Sequence, residues 1–427
     1  MAEDAARRRA LTKTVAAWFV AAALIGVATG LCSVVLSAAV LFAAKMLALS
    51  WVFGWLLPVG GLVTYAVYAV LRVSWRYDTN QVVAAANTSQ TVNPVLAPAI
   101  VFGTTLTNMC GGSVGKEAAT LQLGGALGSG IGHSLKLRAR LATVFGASDC
   151  EGTFVLCGMA GAFSALLFAP LCSTLFVIEL ARTHADIKRA LAVLVAAIFG
   201  YAAARPLAIS YPWLNLYPMD NVGRMYGGCI VVALAATAMG VVFCLGLRAL
   251  RGMNGALFSQ PLVKIAVLGV VVVVAAHVLG VEAFAGTGAA QISAALHGTA
   301  GTWDFAGKLL MSTLVLGAGF KGGELTPSMA IGACTGCTVG TLLGADPAAC
   351  AGVGLVAIFS ATTNTPLASF LLGVEAFGLP MAPYCAIAAA IGFFPTIRLS
   401  LYACNRIPGY GALWATVRQT FGGLPRW

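Results

Sequence analysis

FSALLFAPLCSTLFVIE at residues 163–179 and FSATTNTPLASFLLGVE at 359–375 agree at eight of 17 positions. Phe163, Ser164, Ala165, Pro170, Leu171, Ser173, Leu175 and Glu179 fall on Phe359, Ser360, Ala361, Pro366, Leu367, Ser369, Leu371 and Glu375. Self-similarity of this kind marks a chain built from two copies of one unit. A second pair of stretches, 111–132 and 319–340, superposes without gaps, so that Gly111, Gly115, Gly124, Gly128 and Gly132 fall on Gly319, Gly323, Gly332, Gly336 and Gly340. The spacing of the last three puts them on one helix face, where missing side chains let another helix approach closely. Carried upstream, the same offset places Asp78-Thr79-Asn80 on Gly286-Thr287-Gly288. Two halves of about 190 residues, interrupted by Gly and Pro in corresponding places, are the pattern of a transporter assembled from structural repeats. The repeat alone leaves open whether the halves are inverted.

Composition places these repeats in a membrane. Of the 427 residues 59% are hydrophobic and 9% charged, with a mean hydropathy of +0.91, where a soluble protein carries roughly 25% charged residues. Residues 14–44, 51–71, 228–247 and 262–281 are nearly free of charge, and about 20 apolar residues suffice to span the hydrocarbon. An all-α polytopic membrane protein is expected. Its first run is too long for a secretory signal, and Arg7, Arg8, Arg9 and Lys13 before it predict a cytoplasmic N-terminus by the positive-inside rule. The expected organisation is a cytoplasmic segment over 1–13, one membrane repeat over 14–205 and a second over 222–420.

The 25 Lys and Arg against 14 Asp and Glu give +11. In a soluble protein that excess would suggest nucleic acid. Here the cations sit in short loops, such as Lys136, Arg138, Arg140 and Lys188, Arg189, which suits contact with anionic membrane lipids instead. The twelve cysteines lie mostly in apolar segments and read as small hydrophobes. Cys334 and Cys337 form a CxxC, but they fall on Ala126 and Ser129 of the first half, so a tight helix contact explains them. No metal or cofactor is expected.

Within hydrocarbon, backbone that is not helical survives only where it is buried in protein or lines a wet cavity. The glycine-rich segments 111–117 and 319–327 lie between apolar runs and lead into helices expected from Ala118 and Ser328, with Pro327 suited to a first turn. A helix start presents unpaired N–H groups and roughly half a positive charge, which makes it an anion site. Glu117 stands at the first of these starts. Its carboxylate can occupy the place an anion would take and must leave when protonated, which couples protons to anions in opposite directions; the plainer reading is an acid that complements the helix dipole. Glu324, with Thr326, sits in the equivalent second-half loop, where it can line the path, accept hydrogen bonds in a proton route or brace the loop. Glu179 and Glu375 occupy matched helix ends and read as structural. Gly115-Lys116 superficially suggests a phosphate-binding loop, but that pattern needs glycine at position 110 and Ser or Thr after the lysine. Cys110 and Glu117 stand there instead.

These loops carry a family resemblance. GGSVGKEAAT at 111–120 looks like the G-K/R-E-G-P signature of CLC anion channels and antiporters, with Glu117 on the gating glutamate. GFKGGELTP at 319–327 resembles the second-half loop of the fluoride-exporting CLC branch, which carries a glutamate there. The repeated FSALLFAPL and ATTNTPLASFLLG stretches are similar to the repeated helices of the family. The resemblance implies a CLC fold with two inverted repeats of broken and tilted helices, and a homodimer with one anion path per subunit. It implies anion-binding positions at Thr79, Asn80, Gly115, Lys116, Ala118, Gly323, Leu325 and Thr326, and at Tyr410 in RIPGYGALW, with Tyr402 close by. It also implies that the regulatory C-terminal domains of many relatives are absent. The chain departs from chloride-selective members by having Asp78-Thr79-Asn80-Gln81-Val82 in place of Gly-Ser-Gly-Ile-Pro, and Thr79 is neither their serine nor the methionine common in the fluoride branch. Ala118 and Ala119 replace the usual Gly-Pro, and Leu180 stands where chloride antiporters have an inner proton-transfer glutamate. The reading is a halide/proton antiporter, fluoride first, with a chloride channel or chloride/proton exchanger as the alternative. An intramembrane enzyme is disfavoured, because neither an HExxH nor a His/Asp/Ser triad can be placed.

Overall fold

A computed structural model describes residues 2–50, 52–87, 90–134, 147–182, 187–207 and 226–402. The first half runs α1 (Ala2–Leu49), α2 (Val52–Trp55), α3 (Leu57–Val70), α4 (Thr79–Ala85), α5 (Leu96–Met109), α6 (Glu117–Ser134), α7 (Ala147–Leu167), α8 (Pro170–Ala181) and α9 (Ile187–Ala204). The second runs α10 (Tyr226–Leu257), α11 (Pro261–Leu279), α12 (Ala289–Leu296), α13 (Asp304–Ala318), α14 (Leu325–Leu342), α15 (Pro347–Thr363), α16 (Pro366–Phe377) and α17 (Ala382–Thr396). No strand forms among the described residues; Gly115 and Gly323 make an isolated antiparallel bridge. Thr14–Leu49, Cys150–Leu167, Ile187–Leu207, Gly228–Leu257, Pro261–Leu279 and Leu379–Thr396 are each long and apolar enough to cross a membrane. The apolar run 51–71 is not one helix but α2 and α3, and Pro58 in the first turn of α3 marks the break.

The sequence repeat is a repeat of elements. Leu325 opens α14 as Glu117 opens α6, an offset of 325 less 117, or 208, and the same offset carries Leu96 of α5 to Asp304 of α13. From α7 onward the offset becomes 366 less 170, or 196, and it carries both ends of α8 onto α16. Even the turns agree. Phe168 and Asn364, matched under that offset, both take the left-handed conformation that L-residues rarely adopt, with φ of 56° and 57°, and each is followed two residues later by a proline-started helix. Proline at that position loses nothing, because the first N–H of a helix has no intrahelical partner.

The halves are inverted, and the glutamates show how. The Glu375 carboxylate, in the last turn of α16, accepts from the N–H groups of Leu171 and Cys172 at 3.0 and 2.7 Å. Glu179, in the last turn of α8, does the same for Leu367 and Ala368 at 3.2 and 2.8 Å. Each helix therefore caps the start of its own counterpart, which makes the pair antiparallel and puts a pseudo-two-fold axis across them. The structural role expected of these two acids is what they perform. Phe176 stacks on Phe163 and packs tilted against Phe359 of the other half.

The glycine faces pack as the spacing predicts. α6 lies on α7 and α14 on α15. A Cβ on Gly124 or Gly128 would strike the backbone of α7, and one on Gly332 or Gly336 the backbone of α15. Such contact lets dispersion replace the hydrophobic drive that lipid does not supply.

Candidate functional site

α6 begins at Glu117 and α14 at Leu325, three residues ahead of the start expected from the sequence. Pro327 still lies in the first turn, where its missing N–H is harmless. The turns before the two helices meet. The Gly115 N–H donates to the Gly323 carbonyl and the Gly323 N–H to the Gly115 carbonyl, each at 2.7 Å. These residues are equivalents under the repeat, so the pseudo-two-fold axis passes between them and both helix starts converge there.

Glu117 is fully buried at this junction. Its Oε2 accepts from the Lys116 N–H at 3.1 Å and from the Thr326 N–H at 3.2 Å. The carboxylate thus rests on the start of the opposite half's helix, one residue inside α14, while belonging to the first residue of α6. Two helix dipoles and backbone donors from both halves favour negative charge at one point. Ala118, Leu325 and Thr326 are buried around it. Glycine is required on both turns. A Cβ on Gly115 would come within 2.5 Å of Thr326 Oγ1 and 2.6 Å of Glu117 Oε2, and one on Gly323 within 2.9 Å of the Ala118 nitrogen.

Lys116 splits its functions. Its N–H faces Glu117, but its Nζ reaches away to Ser37 Oγ on α1 at 3.2 Å. The side chain of this lysine therefore braces α6 against α1.

Thr79, Asn80 and Glu324 form a second group. They line a cavity of about 340 Å³ together with Gln122, Lys321 and Tyr402. The Thr79 hydroxyl accepts from Gln122 Nε2 at 3.0 Å. Asp78 and Gln81 close a capping box that fixes the start of α4, and Asn80 Nδ2 donates to Asp78 Oδ2 at 3.1 Å. Glu324 does not approach Glu117's donors; its Oε1 takes Arg251 Nη2 from α10 at 2.6 Å. Gly322 and Glu324, on either side of Gly323, both line the cavity, so it reaches the turn that holds the bridge. Arg76, Arg251, Lys264 and Lys321 also line it, against Asp78 and Glu324, giving walls that favour anions. On the loop before α4, burial and then the Asp78 carboxylate hold the Tyr77 phenol above its ordinary value, so it stays a neutral hydroxyl.

Tyr410 lies outside the described residues. Tyr402 is buried and lines the cavity. Sequence reasoning missed Arg251, separated from Glu324 by 73 residues, and also Gln122 and Lys321. A basic residue near the end of a long apolar helix was the available signal for Arg251.

A profile of the family described as "Voltage gated chloride channel" matches residues 60–395. A curated relative from Pseudomonas syringae pv. tomato, named "Chloride/fluoride channel protein", is 27% identical over 384 residues, 84% of this chain and 79% of its own. The "H(+)/Cl(-) exchange transporter ClcA" of Vibrio cholerae is 23% identical over 61% of this chain and 58% of its own. Among solved structures, that described as a "CLC-type fluoride/proton antiporter" superposes with a TM-score of 0.83 at 23% identity, over 92% of this chain and 98% of that one. A "slow cyanobacterial Cl-/H+ antiporter" gives 0.72 at 19%, over 88% and 94%.

Proposed function

This chain belongs to the voltage-gated chloride channel (CLC) family, and from that premise we propose that it is a halide/proton antiporter of the cell membrane, carrying fluoride in preference to chloride, with Glu117 as its gate. The observation that carries the reading is the Glu117 carboxylate bonded to the Thr326 N–H of the opposed helix start. A halide seeks the same donors, so the carboxylate and the anion exclude one another, and only a protonated Glu117 gives the place up. Gly115, Lys116 through its N–H, Ala118, Gly323, Leu325 and Thr326 then form the anion site, and Thr79, Asn80 and Glu324 its approach from the cavity. The repeats, 14–205 and 222–420, each contribute one helix start to one path. The working unit is a homodimer with membrane lipids around it and its N-terminus in the cytoplasm.

Fluoride is placed ahead of chloride because Glu324 stands in the second turn, and because the Pseudomonas relative and the best-superposing of the structures described above carry fluoride in their names. The Vibrio relative's name supports the second reading, a chloride/proton exchanger. Purified protein in liposomes, loaded in turn with fluoride and chloride and followed with ion-selective electrodes and an internal pH dye, decides between them. Fluoride release faster than chloride by about tenfold or more, with proton uptake, is expected. Equal or faster chloride release supports the exchanger, and halide flux without proton movement supports a channel.

A further inference from the structure

Lys308 lies in the second turn of α13 and is wholly buried. An ammonium inside the bilayer is costly unless all its protons are accepted. This one has three acceptors for its three protons: Ser113 Oγ at 2.9 Å, the Phe284 carbonyl at 3.0 Å and the Gly286 carbonyl at 2.8 Å. Ser113 belongs to the first half's glycine-rich turn, four residues before Glu117, and its hydroxyl also pairs with Ser312 at 2.8 Å. Phe284 and Gly286 belong to the second-half loop that leads to α12. The same two segments are joined by the Gly286 N–H, which donates to the Gly112 carbonyl at 3.1 Å. The loop is shaped around the lysine. A Cβ on Gly288 would come within 2.8 Å of Lys308 Cε, and Gly286 and Gly288 both take positive φ.

The pseudo-two-fold axis exposes a matching arrangement on the other side of Glu117. Lys321 Nζ donates to the Trp75 and Tyr77 carbonyls at 2.6 and 3.2 Å, in the first-half loop that leads to α4, and lies over the rings of Tyr68 and Trp75. There too a loop of one half is tied to the glycine-rich turn of the other by one ammonium on two carbonyls. The residues are exchanged, however. Under the offset of 208, set by 325 and 117, Lys308 corresponds to Ile100 and Ser113 to Lys321. One site is Lys308 with Ser113, its mate Ile100 with Lys321. Each site has a single ammonium, supplied from alternative positions.

We propose that Lys308 is a positioning residue for the gate: its ammonium fixes the turn at 111–116 so that Glu117 reaches the opposed helix start, as Lys321 fixes the turn at 319–324 from the other side. The proposal rests on Glu117 being the gate.

The test is the ratio of halide to proton flux in liposomes, which does not depend on how much protein is active. Lys308→Ile leaves three buried acceptors without their donor and frees the turn, so halide is expected to pass without its proton and the ratio to rise by about tenfold. Lys308→Ile with Ser113→Lys recreates the Ile100–Lys321 arrangement and is expected to bring the ratio back to the wild-type value. Ser113→Ala, which keeps the lysine and removes the hydroxyl's bonds to Lys308 and Ser312, is expected to give an intermediate ratio and serves if Lys308→Ile does not fold. A wild-type ratio in Lys308→Ile, or in Ser113→Ala if that variant alone folds, overturns the proposal while leaving the gate intact, as does a double variant no better than the single one. Wild-type protein that moves halide without protons overturns the gate itself.

Discussion

Glu117→Gln removes one charge and almost no volume, and the structure sets the size of the effect. The carboxylate accepts two backbone N–H bonds, from Lys116 and Thr326, at 3.1 and 3.2 Å. A hydrogen bond to a charged group contributes about 1.5–3 kcal/mol and a neutral one about 0.5–1.5 kcal/mol, so an amide oxygen in the same place holds each donor about 1–1.5 kcal/mol less tightly. Across two bonds the competitor weakens by about 2–3 kcal/mol. Under the proposed competition of halide and side chain for the same donors, halide affinity should rise by about 30- to 150-fold. The amide also takes up no proton, so an imposed pH gradient should no longer drive halide uphill, while passive halide flux persists. Fluoride and chloride titrations by calorimetry give the affinity, and liposome flux with a pH dye gives the coupling. Uphill halide transport in Glu117→Gln, or affinity at or below the wild-type value, would refute the competition.

Arg251→Gln leaves Glu324 without its partner at the cavity, so halide entry should slow, most at low salt where screening is weakest; adding Glu324→Gln should restore it, and initial-rate flux at two ionic strengths reads both. Glu179→Gln and Glu375→Gln each weaken two charge-assisted caps on a counterpart helix. Their melting temperatures in detergent should fall by similar amounts, reflecting about 1–3 kcal/mol each, and a loss confined to one of them would break the equivalence. Gly336→Leu drives a side chain into the Cys350 carbonyl and should cost at least about 1–3 kcal/mol, read as a lower melting temperature or loss of folded protein on size exclusion.

How much of this was legible depends on what kind of contact each feature needs. Helix correspondence was readable because an offset in sequence is an offset in elements: Gly115 falls on Gly323 and Glu179 on Glu375 in the sequence alone. Gly124, Gly128 and Gly132 declared a close face because period-four glycine in lipid has few other uses. Glu117 stood out as an acid opening an apolar helix. The inversion was not readable from the repeat, since parallel and antiparallel copies share one sequence pattern; it took the exchange of caps between α8 and α16 to fix it. Arg251 with Glu324, and Lys308 with Ser113, were hidden because each pair joins distant segments. The signals available were single residues: Arg251 near the end of a long apolar helix, and Lys308 as a lone cation among apolar residues of α13. The resemblance drew attention to Tyr410, while the described tyrosines that line the cavity are Tyr77 and Tyr402.

The symmetry of the junction explains why one acid suffices. Equivalent turns meet at the axis, so both helix starts bring their donors to a single place, and a side chain from either half can fill it. The first half puts Glu117 there, and the matched position is Leu325. A second acid at 325 would set two carboxylates against each other at one site, where like charges cannot both stay ionised, and the anion would face a competitor whichever was protonated. With leucine there, negative charge comes from Glu117 or from the halide. Glu324, one position earlier and matched to Lys116, keeps its carboxylate on Arg251 beside the cavity. The acid of the second half is therefore held beside the cavity while that of the first occupies the axis, and on the proposed reading a symmetric scaffold thereby acquires one gate with a distinct entrance.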